Sequence, residues 1–252
     1  MSNNNLLNYV LALADDRLIL SHRLAEWCGH APILEEDIAL TNIALDSLGQ
    51  ASLFYKYAAD IEGNGRTEDD YAYKRSEREF RNLLLVEQAN QDFAYTLARQ
   101  FFFDAYELFL YEELLKSSDS QLQAIAEKSI KETKYHIRHS TQWMLRLGDG
   151  TDESKLRIQA ACDYLWMYVG EMFTNLEEEN DLIINNIIPA NKLLWNKWFD
   201  FVSDVMKEAT LITPPPDAFM QSGGRHGIHT EHLGHILADM QYLPRTYPNA
   251  KW

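Results

Sequence analysis

The sequence predicts an all-α protein, and two observations lead to that prediction. Long stretches place apolar residues three and four apart, and no stretch alternates apolar and polar residues as a half-buried strand does. The chain of 252 residues is 46% hydrophobic with 11 Gly and 7 Pro, so it can bury a large core. We predict a single domain, residues 1–252, with a four-helix core at about residues 6–147 and a helical extension at about residues 151–252.

The first two core helices are predicted at residues 6–28 and 34–60. Gly29 and Pro32 separate them, because the residue before a proline is pushed out of the helical region. On a helical wheel, the apolar stripe of the second helix is centred on Ser47, with Gln50 beside it. The second helix therefore turns two polar side chains toward the interior.

The third and fourth core helices are predicted at residues 92–115 and 119–147. Asp119 can cap the fourth helix, and Gly148 closes it. Asp104 lies at the centre of the third helix's apolar stripe. Thr133 lies at the centre of the fourth helix's stripe, with His136 one turn further at its edge. Each of these helices therefore also presents polar groups to the interior.

The predicted extension contains three more helices. Thr151 can cap the first, which reaches about residue 173, and the second spans residues 191–209 before the prolines at 214–216. The glutamates at 177–179 indicate an exposed turn between them. A short last helix reaches Leu243.

Six inward-facing residues are candidates for a metal site: Glu26, Ser47, Gln50, Asp104, Thr133 and His136. Bundles that hold two metal ions supply a carboxylate from each of two helices and a Glu-x-x-His pair from each of the other two. Here hydroxyl groups stand in both glutamate positions and an amide in one histidine position. We favour a buried hydrogen-bonded network without metal over a weak site for one ion at His136 with two acids.

The densest basic stretch of this acidic chain follows the second helix. One interpretation is an exposed or inter-subunit face whose bases pair with nearby acids. The other is a contact to the phosphates of a coenzyme A thioester, with Phe80 stacking on the base. The candidate contact residues are Lys74, Arg78, Glu79, Phe80, Arg81 and Asn82.

Histidines recur every third residue from His226 to His235. The pair His229 and His232, with Glu231 nearby, is a possible zinc site, although residues three apart drift around a helix and no upstream partner is evident. We favour imidazoles that donate hydrogen bonds, with Thr230 capping the last helix.

Charge and composition exclude several classes of function. The formal net charge of -15 disfavours binding to nucleic acid or to an anionic membrane. Cys28 and Cys162 are too few for a disulfide framework, and the start of the chain lacks a signal-peptide pattern. We therefore expect a cytoplasmic protein that does not insert into a membrane.

Five segments closely resemble the C subunit of the multicomponent phenylacetyl-coenzyme A epoxidase and together extend over nearly the whole chain. They are AEWCGHAP at 25–32, LDSLGQA at 45–51, NLLLVEQ at 82–88, IKETKYH at 130–136 and GIHTEHLG at 227–234. The resemblance implies a ferritin-like fold and a subunit, inactive by itself, that binds and stabilises the related catalytic A subunit. It also implies aerobic phenylacetate catabolism, in which the assembled enzyme epoxidises the aromatic ring with reductant from a separate reductase subunit.

The resemblance places the di-iron centre in the A subunit and no cofactor in this chain. The A subunit's motif DEAGH is similar to DSLGQ at residues 46–50, and its KEESFH is similar to KETKYH at residues 131–136. Both comparisons put the substitutions at Ser47, Gln50 and Thr133, the positions that the helical wheel marks. The resemblance also favours a position for residues 74–82 near phenylacetyl-coenzyme A or near a partner subunit.

Overall fold

The computed structural model describes residues 2–248 and residue 250, and within them the regular structure is entirely helical. The helices are α1 (Ser2–Ala25), α2 (Leu34–Glu62), α3 (Glu68–Tyr73), α4 (Leu84–Glu87), α5 (Phe93–Leu114), α6 (Ser120–Gly148), α7 (Asp152–Leu165), α8 (Asn180–Ile184), α9 (Asn191–Glu208) and α10 (Glu231–Thr246). The four predicted core helices are present as α1, α2, α5 and α6, so the all-α prediction is confirmed.

The chain divides into two compact units. Unit 1 comprises Met1–Ala89 and Gly223–Trp252, and unit 2 comprises Asn90–Ser222. Two of the predicted core helices therefore belong to each unit. The predicted extension at 151–252 is also divided, since its last part belongs with the start of the chain. That the whole chain is a single domain stays a prediction.

Unit 1 is built on α1 and α2, which pack along each other, with α3, α4 and α10 against them. Its core is apolar but contains charged groups. Asp15 pairs with Arg75 and Asp16 pairs with Arg225, and both carboxylates are fully buried. Pairing offsets the large cost of removing these charges from water.

Unit 2 is built on α5 and α6, with α7 and α9 packed against them. α5 is buried along most of its length. Aromatic rings fill the space between α5 and α9, where Trp198 lies 5.7 Å from Phe102 between ring centroids and donates its indole N–H to the Phe102 carbonyl at 2.9 Å. Trp198 is therefore a core residue.

Helix ends follow the predicted chemistry at several points. Asp119 caps α6 by accepting from the N–H groups of Gln121 and Leu122, and Thr151 forms a capping box with Ser154 at the start of α7. At the end of α6, a Cβ on Gly148 would lie 2.2 Å from the Ala209 carbonyl oxygen, so only glycine allows α9 to end there.

Two parts of the predicted extension differ from the prediction. α7 ends at Leu165 and the chain continues in two 3-10 turns, Trp166–Tyr168 and Gly170–Phe173, rather than as one helix to residue 173. The three glutamates at 177–179 form a 3-10 turn in which Glu177 and Glu178 are exposed, as predicted, and Glu179 is buried. Its carboxylate accepts from Leu176 N and from the Asn175 side chain, which accounts for its burial.

In the described residues, no helix is long and apolar enough to cross a membrane. Both cysteines are free thiols, Cys28 exposed and Cys162 buried.

Candidate functional site

Unit 2 contains a buried group of three side chains that could hold a metal ion: Asp104, Glu107 and His136. α5 places the two carboxylates three residues apart on one face, and α6 places the imidazole opposite them. One ligand atom from each residue lies within 4.8 Å of the others. Sequence reasoning identified Asp104 and His136 and missed Glu107. The three-residue spacing from Asp104 along a buried helix was the signal that could have found it.

Asp104 is held by two neutral hydrogen-bond donors. Gln100 Nε2 donates to Oδ1 at 2.6 Å, and Ser140 Oγ donates to Oδ2 at 2.7 Å. Complete burial raises the pKa of Asp104 to about 7, although the neighbouring His136 and the two hydrogen bonds act in the opposite direction. Near neutral pH this carboxyl therefore accommodates either a proton or a nearby positive charge.

Thr133 lies one turn before His136 on α6 and is fully buried. Its hydroxyl has no hydrogen-bond partner within the described residues. This is the position where a di-metal bundle would place a bridging glutamate. A neutral hydroxyl there supplies no negative charge to hold two cations close together.

Unit 1 contains the other predicted inward pair, Ser47 and Gln50, both buried on α2. Gln50 Oε1 accepts a hydrogen bond from Arg17 Nε at 3.3 Å, and Arg17 Nη1 donates to the Leu13 carbonyl at 2.7 Å. The guanidinium also lies 4.8 Å from the centroid of the Phe54 ring, above its face. A fixed buried cation thus occupies the neighbourhood of Gln50 and disfavours a metal cation there.

Sequence reasoning missed Arg17. The signal was available, because a charged triplet, Asp15, Asp16 and Arg17, interrupts an otherwise apolar helix. All three are fully buried and each is part of the ion-pair and hydrogen-bond system of unit 1.

Glu26 was predicted as an inward-facing member of this network, and the structure contradicts that placement. α1 ends at Ala25, so the turn that follows carries Glu26 to the surface. Its side chain is 45% exposed and pairs with Arg23 at 2.7 Å. The other five candidates, Ser47, Gln50, Asp104, Thr133 and His136, are buried.

The basic stretch divides between surface and interior. Lys74, Arg78 and Glu79 are exposed, and Lys74 pairs with Asp70. Arg81 is half-buried and donates to the carbonyls of Arg78 and Phe80 at 2.7 and 2.9 Å. Only the exposed members of the stretch are available to a ligand or a partner.

Phe80 and Asn82 are fully buried, which is at odds with the predicted contact to a ligand. The Arg75 guanidinium covers the Phe80 ring at 4.2 Å from its centroid, and Asn82 Nδ2 donates to Glu87 Oε2 at 2.9 Å. Phe80 is therefore not free to stack on a nucleotide base. An aromatic side chain beside several bases has the same composition in a core as in a binding site, so the sequence did not separate the two.

Of the tail histidines, His229 acts as a hydrogen-bonding group. The His229 side chain is fully buried, with Nδ1 2.9 Å from Glu87 Oε2 and Nε2 3.1 Å from the Phe80 carbonyl oxygen. Burial alone would lower its pKa, but the hydrogen bond and charge of Glu87 raise the pKa of His229 above its usual value. In the described part of the chain, these histidines belong to no group of three metal-ligating side chains.

Thr230 was predicted to cap α10 through its side chain, and that prediction is wrong. It occupies the cap position, but the Glu87 carboxylate accepts from its backbone N–H at 2.6 Å and its own hydroxyl makes no cap bond. Gly227 precedes it with φ of 72°, and a Cβ there would lie 2.3 Å from the Arg78 carbonyl oxygen. The tail thus packs closely on residues 76–88.

The donor set does not fit a pair of iron ions. In unit 2 the ligand atoms suit one cation, and the bridging position holds the Thr133 hydroxyl. In unit 1 the corresponding α2 positions hold a hydroxyl and an amide, and the amide is bonded to a buried guanidinium. Hydroxyl and amide oxygens are weak ligands that leave the charge of two cations uncompensated.

Comparison with known proteins places these observations in a family. The family model described as "Phenylacetic acid catabolic protein" matches residues 1–252. A protein of Escherichia coli (strain K12), the C subunit of 1,2-phenylacetyl-CoA epoxidase, is 49% identical over 249 residues, which is 99% of this chain and 100% of that protein. The chain therefore belongs to the phenylacetic acid catabolic protein family, whose fold is ferritin-like.

Proposed function

We propose that this chain is the non-catalytic subunit that binds and stabilises the di-iron A subunit of a phenylacetyl-coenzyme A epoxidase in aerobic phenylacetate catabolism. The observation that carries the proposal is the pair of buried hydroxyls, Ser47 and Thr133, at the positions of the bridging glutamates. The full-length similarity to the C subunit of an epoxidase supports it. The chain is accordingly a cytoplasmic pseudoenzyme with a degenerate site and works within a hetero-oligomer that includes the other epoxidase subunits.

The physical argument is one of charge. Two ferrous ions carry four positive charges, and a di-iron bundle balances them with carboxylates from all four helices. At the inward positions of α2, Ser47 and Gln50, this chain offers no carboxylate, and the Arg17 guanidinium donates to Gln50 instead. Arg17 and Gln50 satisfy each other without metal, so this part of the protein keeps a rigid core while the chemistry resides in the partner.

Purification with and without the partner tests the proposal. The chain should co-elute with the A subunit when both are expressed together, the iron should follow the A subunit, and the A subunit alone should be less stable to heat. The chain alone should contain well below two iron ions. Iron near two per purified chain, or failure of the two proteins to co-elute, would refute the proposal.

A second candidate function is a metalloprotein with one ion at Asp104, Glu107 and His136, and their mutual proximity favours it. This group supplies one histidine and two carboxylates, whereas the mononuclear non-haem iron enzymes use two histidines and one carboxylate. Anaerobic titration with Fe²⁺, Mn²⁺ and Zn²⁺ tests it. A stoichiometry of one that is lost in both Asp104→Asn and His136→Gln, but kept in His235→Gln, would establish the site; equal uptake by all variants would dismiss it.

We also propose that Lys74 and Arg78, the exposed bases of the stretch, contact phenylacetyl-coenzyme A or the partner subunit. Their positive charge in an acidic chain supports this. In the assembled enzyme, Arg78→Glu should raise the KM for phenylacetyl-coenzyme A if the base meets phosphate, or weaken subunit association if it meets the partner. A variant with unaltered KM and unaltered association would exclude both contacts for Arg78.

A further inference from the structure

The outer face of α2 carries an uncovered apolar stripe. Leu34, Ile38, Leu45 and Leu48 are 71%, 54%, 60% and 43% exposed, respectively. Their spacings of four, seven and three residues place them within roughly 80° of one another on a helix with 100° per residue. Single exposed apolar residues need no explanation, but four in register on one helix form a continuous surface of the kind that helices bury against each other.

This stripe lies on the side of α2 opposite to its core face. Leu40, Ile43, Ala51 and Phe54 are buried with Ser47 and Gln50 on that core face. α2 is therefore apolar on two sides, as expected of a helix that is covered on both. The fold of unit 1 accounts for one side only.

Gly49 supports the same conclusion. It lies near the middle of the 29-residue α2, next to Leu48, where glycine costs about 1 kcal/mol relative to alanine. A Cβ at this position would meet nothing within 4 Å, and the backbone is not in the left-handed region. Nothing in the described residues requires glycine there, whereas a second helix approaching closely would require a small residue.

Charge selects the kind of partner. Glu35, Asp37 and Asp46 beside the stripe are exposed or partly exposed, whereas Glu36 is buried, and residues 31–55 contain no Lys, Arg or His. The next residue, Lys56, lies on the same face and pairs with Glu68 at 3.3 Å. A second copy of this chain on the stripe would bring acids against acids, which costs free energy. A helix that carries Lys or Arg beside its own apolar stripe would be attracted instead.

We propose that the outer face of α2 is the docking surface for an amphipathic, basic-flanked helix of the catalytic A subunit. The proposal rests on the function proposed above and adds the surface, with Leu45 and Leu48 as its apolar centre and Gly49 as the point of closest approach. A partner docked there would be separated from Ser47 and Gln50, on the core face of α2, by the width of that helix.

Substitution of the stripe in the full-length chain, co-expressed with the A subunit, tests this. Leu45→Glu and Leu48→Glu should each weaken the complex at least about tenfold, since central apolar contacts dominate such interfaces. Gly49→Leu should weaken it similarly while raising the melting temperature of the isolated chain, because leucine is the better helix former. A stable chain that no longer binds separates docking from folding.

Leu156→Glu is the matched control, since Leu156 is exposed on α7 of unit 2, and it should leave binding unchanged. If the wild-type complex forms and all three α2 variants bind as tightly as wild type, the docking surface is refuted and the proposed function stands. If the purified chain alone is a dimer that Leu45→Glu dissociates, the occupant is a second copy and the inference is refuted. If no wild-type complex forms, the proposed function fails, and this inference fails with it.

Discussion

The pKa of the buried Asp104 carboxyl is set by its surroundings. Two neutral groups, Gln100 and Ser140, donate to its oxygens, and neither offsets the loss of water around a full negative charge. His136 offsets part of that cost when it is protonated. The carboxyl therefore retains a proton to an unusually high pH.

Replacing Asp104 with Asn should reduce the pH dependence of stability. The pKa is 3.8 in the unfolded chain and about 7 in the folded one, so between these values the folded state holds the extra proton. Stability should fall as the pH rises from about 4 to about 7. In Asp104→Asn the fall should be smaller than in wild type, because only the contribution of His229 remains, as measured by urea unfolding at pH 5 and pH 8.

Asparagine at position 104 is compatible with the site. Its side-chain oxygen can accept from Gln100, and its NH2 group can donate to Ser140 Oγ. Ser140 can then donate to the His136 carbonyl, which lies 3.2 Å from Ser140 Oγ in the wild-type chain. Glu153→Gln on the surface serves as the control and should retain the wild-type slope. An unchanged slope in Asp104→Asn would mean that another group accounts for the pH dependence.

At the scale of elements, polar contacts fix the segment from Arg225 to Arg245 to the first part of the chain. Arg225 forms a fork on Asp16, with Nη1–Oδ1 at 3.0 Å and Nη2–Oδ2 at 2.7 Å, and also donates to the Arg81 carbonyl at 2.7 Å. Gln241 and Arg245 donate to the Arg75 carbonyl. Backbone carbonyls that no helix satisfies thus receive their hydrogen bonds from the end of the chain.

Arg225→Ala should destabilise the protein by about 3–5 kcal/mol, because it leaves the fully buried Asp16 without its ion-pair partner. Arg225→Lys keeps the charge but loses the fork, so it should fall between wild type and alanine. Urea unfolding measures both. Arg157→Ala removes a fully exposed ion pair and should change little; an equal loss in Arg157→Ala and Arg225→Ala would contradict the argument.

His229 should make the folded state less stable as the pH rises above neutral. Both ring nitrogens face acceptors, the Glu87 carboxylate and the Phe80 carbonyl, so the doubly protonated imidazolium fits best. Asp15 also contributes negative charge at this site. Since the folded pKa lies above the unfolded value of 6.5, the stabilisation is complete below about pH 6.5 and is lost as the pH rises through the folded pKa.

The measurement compares urea midpoints at pH 6 and pH 9. His229→Gln should be less stable than wild type at pH 6 and should lose less stability on going to pH 9. His235→Gln, at an exposed position on α10, is the control and should follow wild type. Identical pH curves for wild type and His229→Gln would mean that the pKa of His229 is the same in the folded and unfolded states, which contradicts the argument.

The long helices could be predicted from sequence because periodicity and end signals agree over many residues. α6 begins at its predicted cap, Asp119, and α5 and α9 lie within one or two residues of the predicted bounds. The short helices α3, α4 and α8 could not, since four to six residues contain too little periodicity. Thr230 was misplaced because its partner, Glu87, comes from a distant part of the chain. Phe80 was misplaced because Arg75, in the same basic stretch, folds over its ring in the core, and composition does not reveal that burial.

The candidate site divides in the same way. Helical phase alone turned Ser47, Gln50, Asp104, Thr133 and His136 inward, and their burial agrees with that phase. The prediction that Glu26 faces inward was wrong because it extended α1 beyond its last helical residue, Ala25. Arg17 and Glu107 were missed because the ligand pattern of a di-metal bundle does not mark every charge on a buried helix face.

For the whole molecule, the dominant electrostatic feature is its net charge of -15. A surface so acidic repels other copies of itself at low ionic strength and attracts a basic partner at distances beyond contact. The reach of that attraction is set by salt, since the screening length falls from about 10 Å at 0.1 M to about 3 Å at 1 M. Electrostatic attraction should therefore increase the rate at which this chain associates with a partner helix flanked by basic residues.

The association rate constant of the chain with the A subunit should fall roughly tenfold between about 50 mM and about 500 mM salt, because electrostatic steering speeds the diffusional encounter. The dissociation rate constant should change less, because it depends mainly on the apolar contacts of the formed complex. Surface-immobilised A subunit with this chain as analyte provides both rates. The double variant Glu35→Gln with Asp37→Asn should bind more slowly at low salt and show a flatter salt dependence, since it removes charge beside the α2 stripe. A wild-type association rate that is independent of salt would mean that the partner's surface is not basic, and the choice of occupant for α2 would then lose its electrostatic basis.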